Sequence, residues 1–141
     1  MIFLHQIQNN LFHSINQFSR HFSKVLNEAL TPLGLYTAQW TIIYLLKTNG
    51  PATQKELSHY LGVEAPTMTR SLARMEKSGW ITKKTGIDKR EKQIILTEAA
   101  NDMYDTWLQT VRSCEEQVLK NISDQETTEM LSILKKMSVN L

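Results

Sequence analysis

Cysteine is nearly absent from this chain. Cys114 is the only one in 141 residues, so no intrachain disulfide can form, in keeping with a reducing compartment. Five glycines and three prolines build no low-complexity tract, and no internal repeat is visible. No apolar run approaches the ~20 residues that a membrane-spanning helix needs. The opening Met1-Ile2-Phe3-Leu4 breaks at His5-Gln6 and lacks the basic leader and cleavage site of a secretory signal, so the reading places the chain in the cytoplasm. Catalytic signatures are missing as well: there is no glycine-rich phosphate loop, no G-x-S-x-G and no H-E-x-x-H. Three of the four histidines, His5, His13 and His21, recur every eight residues, which turns each by roughly 80° on a helix. These three do not converge, and with one cysteine and no paired acids beside the histidines, His59 included, no metal and no other cofactor is expected. An enzyme is disfavoured for want of converging nucleophiles and acids.

The composition that remains, 41% hydrophobic and 21% charged, is that of an ordinary globular domain. Its most specific stretch begins at Thr53, which with Glu56 forms a capping box and predicts a helix start. Leu57, Tyr60 and Leu61 follow at helical spacing as one buried stripe, and Gly62 ends the helix. Val63 is expected to plug the turn from below. Pro66 suits the first turn of a second helix, because the N–H it lacks would be unpaired there anyway. Met68, Leu72 and Met75 then face inward. Thr67, Thr69, Arg70, Ser71 and Arg74 are left on the outer face, where hydroxyls and guanidinium groups suit base edges and phosphates. Gly79 closes this helix. Trp80–Lys84 and Gln93–Leu96 have strand composition, and the turn-rich segment between them carries Asp88, Lys89 and Arg90.

Charge is concentrated in this region. Residues 68–96 hold eight Lys/Arg against three acids, a net of +5, while the whole chain is only +2. A local cationic patch on a nearly neutral chain is the footprint of a polyanion. The alternative is a hairpin whose charges are merely solvated.

These residues carry a resemblance. The run Thr67-Met68-Thr69-Arg70, Leu72, Arg74-Met75-Glu76, Gly79-Trp80-Ile81 and Asp88-Lys89-Arg90 … Ile95-Leu96-Thr97 resembles the MarR family of winged-helix regulators, and length and helix layout extend the likeness over nearly the whole chain. Ala99-Ala100 departs from the glycine that many members have after Leu-Thr. The fold implied is mainly α with a small β wing: a winged helix-turn-helix DNA-binding lobe plus N- and C-terminal dimerisation helices. Function implied by the resemblance is that of a homodimer binding a pseudo-palindromic double-stranded DNA operator, often answering to a small, frequently aromatic ligand. Thr67, Thr69, Arg70, Ser71 and Arg74 would face the major groove, with Lys84, Lys89 and Arg90 supplying the wing and Arg90 at the minor groove. Asp88 would support the wing by pairing with Arg90. The alternative is a winged helix used for protein contacts, with no DNA target.

The flanks complete the plan of a single domain over 1–141, with a lobe of about 31–97 between dimerisation segments of about 1–30 and 98–141. Leu11, Ile15, Phe18, Phe22, Val25, Leu26 and Ala29 form a helical stripe that Thr31-Pro32-Leu33-Gly34 ends. Thr37 is expected to cap a short helix with Trp40, Ile43 and Tyr44 inward. Ala100, Met103, Trp107, Val111, Cys114 and Val118 make a narrow seam on a helix over 98–121. Ser123 and Glu126 open a last helix with Met130, Leu134 and Met137 on one side. Residues 97–141 carry four basic and eight acidic groups, so they are not the polyanion surface, and self-association is their expected task. Phe18, Phe22, Trp40, Tyr44 and Trp107 are the aromatics able to line an effector pocket, with core packing the alternative for each. Cys114 reads as a small seam residue rather than a redox switch.

Overall fold

The computed structural model describes residues 2–87 and 90–141, with side chains from Asn10 onward. Contacts divide the chain into two compact units, residues 1–111 and residues 112–141. The first holds α1 (Ile2–Leu30), a 3-10 turn (Thr31–Leu33), α2 (Thr37–Asn49), β1 (Ala52–Thr53), α3 (Gln54–Leu61), α4 (Ala65–Lys77), β2 (Ile81–Thr85) and β3 (Lys92–Leu96). It also holds most of α5 (Glu98–Val118), and α6 (Asp124–Val139) lies in the second.

The first unit is organised around side chains with almost no exposure. Leu30, Leu35, Ile43, Leu72, Met75, Ala100 and Trp107 are completely buried, with Ile42, Leu57, Met68, Ile81 and Ile94 beside them in the core. Each such large apolar side chain contributes about 1.5–3 kcal/mol by leaving water. Polar groups hold the turns around this core. Asn27 of α1 accepts the Thr37 N–H through Oδ1 at 2.7 Å, and Thr37 Oγ1 donates to the Ser23 carbonyl at 3.1 Å. Thr37 is therefore the first residue of α2 and Tyr36 its cap, one residue earlier than the spacing predicts.

The three strands form one antiparallel sheet in the order β1-β3-β2. Ile81 pairs with Leu96, Lys83 with Ile94 and Thr85 with Lys92. β1 is an addition to the expected two-stranded hairpin. Thr53 caps α3 in an extended conformation (φ −78°, ψ 159°), and that backbone also pairs with Gln93 of β3. One residue serves as helix cap and strand at once, a double use with no sequence signature.

The structure departs from the expected stripes on α3, α2 and α1. Tyr60 is 72% exposed, because the covered face of α3 runs through Gln54, Leu57, Ser58 and Leu61 instead. Tyr44 is likewise exposed, since α2 buries Gln39, Trp40, Ile42, Ile43 and Leu46. Of the expected α1 stripe only Leu26 is buried, joined by Leu30 at the helix end, while Leu11, Phe18 and Val25 remain exposed and Ile15, Phe22 and Ala29 half-buried. α5 ends at Val118 rather than at 121 because Asn121 takes a left-handed conformation, φ 68°, which asparagine tolerates better than most residues. α6 starts at the expected Ser123–Glu126 capping box and buries none of its residues.

Candidate DNA interface

α4 has two unlike faces. Met68, Leu72 and Met75 are at most 1% exposed and anchor it to the core. Thr67, Thr69, Arg70 and Arg74 lie exposed on the other side, and Ser71 is half-buried at its edge. The period of 3.6 residues makes this separation unavoidable once the apolar positions are buried. Arg70 Nη2 donates to Thr67 Oγ1 at 3.3 Å, so these two form one local group. Thr69 Oγ1 donates to the Ala65 carbonyl at 2.9 Å and accepts from Gln54 Nε2 of α3 at 2.6 Å.

The end of α4 is firmly held. Ser78 and Trp80 donate backbone N–H groups to the carbonyls of Arg74 and Met75, both at 2.9 Å, with Gly79 at φ 85° making the turn. Trp80 Nε1 donates to the Gly34 carbonyl at 3.1 Å. Thr97 secures the same junction from the far end of β3, donating its hydroxyl to the Gly79 carbonyl at 2.6 Å.

Beside α4 the β2–β3 hairpin presents its cations. Lys83 and Lys84 are exposed on opposite faces of β2, and Arg90 and Lys92 are exposed at and after the turn. Lys55, Lys83, Arg90 and Lys92 line a cleft against the start of α3, with Glu91 the one carboxylate there among the described residues. Gln54 borders this cleft too. Gln54, Lys55 and Lys92 are absent from the residues expected to form the interface. Lys55 and Lys92 carry only an unspecific charge signal, and the partner of Gln54 lies fifteen residues away on another helix. Asp88 and Lys89 lie outside the described residues.

The aromatic candidates fall into three separate groups. Phe18 stacks on Phe22 along α1 with centroids 5.8 Å apart. Trp40 packs against Tyr44 at 5.8 Å and against Tyr104 at 5.7 Å, with Lys47 Nζ 5.2 Å from the Tyr104 ring centre. Tyr104 was not expected here; it sits one residue after Met103 and takes the buried position beside Trp40. Trp107 meets Trp80 edge to face at 4.9 Å and donates its indole N–H to the Leu33 carbonyl at 3.1 Å. With no exposed surface, Trp107 is a packing residue. Cys114 is a half-buried free thiol. Among the described residues no group of three or more His, Cys, Asp or Glu is placed to hold a metal ion, and no helix is long and apolar enough to cross a membrane.

Comparison with known proteins accounts for this arrangement. The model of the MarR family matches residues 35–92, from the turn before α2 to the start of β3. An uncharacterized HTH-type transcriptional regulator of Bacillus subtilis (strain 168), YwoH, is 43% identical over 120 residues, covering 85% of this chain and 88% of that protein. A mutant of MarR from E. coli, crystallised with operator DNA, is 27% identical, with a TM-score of 0.80 over 92% of this chain and 91% of that one. The organohalide-sensing regulator RdhR-CbdbA1625 in its 2,4-dichlorophenol-bound form is 25% identical, with a TM-score of 0.85 over 95% of this chain and 80% of that one. With its helix-turn-helix, its wing and its relatives taken together, the chain belongs to the MarR family and is a DNA-binding transcriptional regulator, not an enzyme.

Proposed function

We propose that the chain acts in the cytoplasm as a homodimeric repressor of a pseudo-palindromic operator. The observation that carries this reading is the division of α4, whose Met68–Leu72–Met75 face is sealed in the core while Thr67, Thr69, Arg70 and Arg74 stand clear beside a cationic hairpin. α4 would enter the major groove, with Ser71 at the edge of the contact. Lys84, Lys89 and Arg90 of the wing would follow the backbone, and Arg90 would reach the minor groove where a narrow A·T-rich stretch attracts arginine. Asp88 would steady Arg90. In domain terms, residues 31–97 form the DNA-binding lobe, and residues 1–30 and 98–141 the dimerisation helices. The uncovered apolar side chains support that assignment: Leu11, Phe18 and Val25 on α1, and Met130, Leu131 and Ile133 on α6. Single exposed apolar residues are ordinary, but helical stripes of them mark contact surfaces.

A small aromatic effector is the second part of the proposal. Of the aromatic candidates, Phe18 and Phe22 of α1 and Trp40 and Tyr44 of α2 keep some accessible surface, and Trp107, fully buried, would act from within the core. A ligand that changed the separation of two recognition helices would forbid both from docking on fixed half-sites and so forfeit avidity.

The test is duplex binding over a salt titration, using the DNA upstream of the protein's own coding region, together with sedimentation at micromolar concentration. A dimer whose affinity falls steeply with salt, and which protects two half-sites centred about 10 bp apart on one DNA face, is the expected result. A stable monomer refutes the dimer. Affinity that ignores salt would turn the reading toward a protein-contact module.

A further inference from the structure

Thr69 stands in the exposed face of α4, and its hydroxyl is already engaged. Oγ1 donates to the Ala65 carbonyl at 2.9 Å and accepts from Gln54 Nε2 at 2.6 Å. A hydroxyl has one proton and two lone pairs. The proton goes to Ala65 and one lone pair to Gln54, which leaves a single lone pair and the Cγ2 methyl. The same count fixes the orientation of the Gln54 amide. Turned over, its Oε1 would need a second proton from Thr69, and the hydroxyl has none to give. Gln54 itself has little freedom. It is half-buried, opens α3, and follows Thr53, whose backbone is held by both the cap and the pairing with β3.

Base edges in the major groove respond differently to such a group. Guanine presents only the acceptors N7 and O6, adenine and cytosine each offer an amino group, and thymine adds a methyl. An oxygen without a spare proton opposes guanine, accepts from an amino group, and carries a methyl that packs on thymine. We propose that Gln54, a residue of α3 rather than of the recognition helix, determines specificity by locking Thr69 as a proton-less acceptor and methyl contact, so that the operator position facing Thr69 excludes guanine. Gln54 is thus a positioning residue acting through Thr69. This rests on the reading of the exposed α4 face as the base-reading surface. Without Gln54 the Thr69 hydroxyl is free to swing away from Ala65 and donate to a base.

The experiment selects binders from a randomised duplex pool with the full-length protein, its Gln54→Met variant and its Thr69→Val variant. In the wild-type pool one position should show guanine depleted roughly tenfold, the cost of one mismatched base pair. Gln54→Met keeps side-chain length and helix propensity but has no N–H to donate. It should restore guanine at that position to within about threefold of the other bases while the rest of the profile and the salt slope stay unchanged. Thr69→Val keeps the methyl and loses the oxygen, so guanine stays excluded, thymine persists, and adenine and cytosine fall. A Gln54→Met profile identical to wild type at every position overturns the proposal, as does guanine returning with Thr69→Val. If Gln54→Met lowers the melting temperature, Thr69→Val still decides the matter, since retained adenine and cytosine would refute the acceptor role. A wild-type pool with no enriched sequence overturns the base-reading assignment of α4 itself, and this proposal with it.

Discussion

Gly34 is the residue whose replacement tests the packing at the end of the recognition helix most directly. It adopts φ 80°, and a Cβ added there would lie 3.2 Å from Trp80 Cζ2. Its carbonyl also receives the Trp80 indole N–H. Gly34→Ala therefore has three effects. Left-handed backbone costs a Cβ-bearing residue about 1–2 kcal/mol. The indole must retreat by a few tenths of an ångström, but its edge-to-face partner Trp107 is completely buried and cannot follow, so the hydrogen bond to Gly34 loses about 0.5–1.5 kcal/mol. Restriction of the unfolded chain returns about 0.4–1 kcal/mol. The net is a destabilisation of about 2 kcal/mol, or a fall of about 4–8 °C in melting temperature at this chain length. Thermal unfolding followed by tryptophan fluorescence and near-ultraviolet circular dichroism, at one fixed protein concentration, measures it. Trp80→Phe removes both the Cζ2 contact and the N–H, so the alanine should cost less in that background. A Gly34→Ala protein within 0.5 kcal/mol of wild type, or strict additivity of the two changes, would show that Trp80 is not wedged as described.

Three further outcomes are expected. Arg90→Ala should weaken binding to all duplexes and reduce the slope of log affinity against log salt by about one phosphate's worth; an unchanged titration would remove Arg90 from the interface. Arg70→Ala or Arg74→Ala should lose about 1–3 kcal/mol more on the selected operator than on random DNA if that arginine reads a base, and equally on both if it touches only phosphate, as competition gel shifts resolve. The Glu126 carboxylate is held below the ordinary carboxylate range by the Ser123 backbone N–H first and the Ser123 hydroxyl second. The cap it forms is fully effective above that range and is lost as pH falls through and below it, so the protection of amides at the start of α6, taken against their intrinsic exchange rate at each pH, should fall in acid, and Glu126→Gln should abolish that fall.

Much of the lobe was legible because its signals are local. A threonine or serine three residues before a glutamate announced α3 and α6, and the Met68–Leu72–Met75 period oriented α4 and hence its outer face. What escaped reading depends on distant partners. Leu57 and Tyr60 are both apolar and correctly spaced, yet only what lies against an eight-residue helix decides which is covered. Tyr104 joined Trp40, and Gln54 joined Thr69, through contacts that no spacing rule encodes. Trp107 was ambiguous in sequence, since an aromatic on a helical seam can line a cavity or fill a core, and its complete burial is a property that spacing alone does not give.

The double service of Thr53 has a consequence for the DNA. Because the residue that caps α3 is also paired with β3, the base of the wing and the helix-turn-helix share one backbone joint. If α4 reads bases and the wing meets a groove as proposed, that shared joint ties the spacing of the two contacts to the protein backbone. One base pair inserted between those two contacts moves the second by about 3.4 Å along the axis and roughly a tenth of a turn around it. Where that joint does not yield, the duplex would have to twist or bend instead, and the stiffness of the intervening base steps would become part of what such a contact recognises.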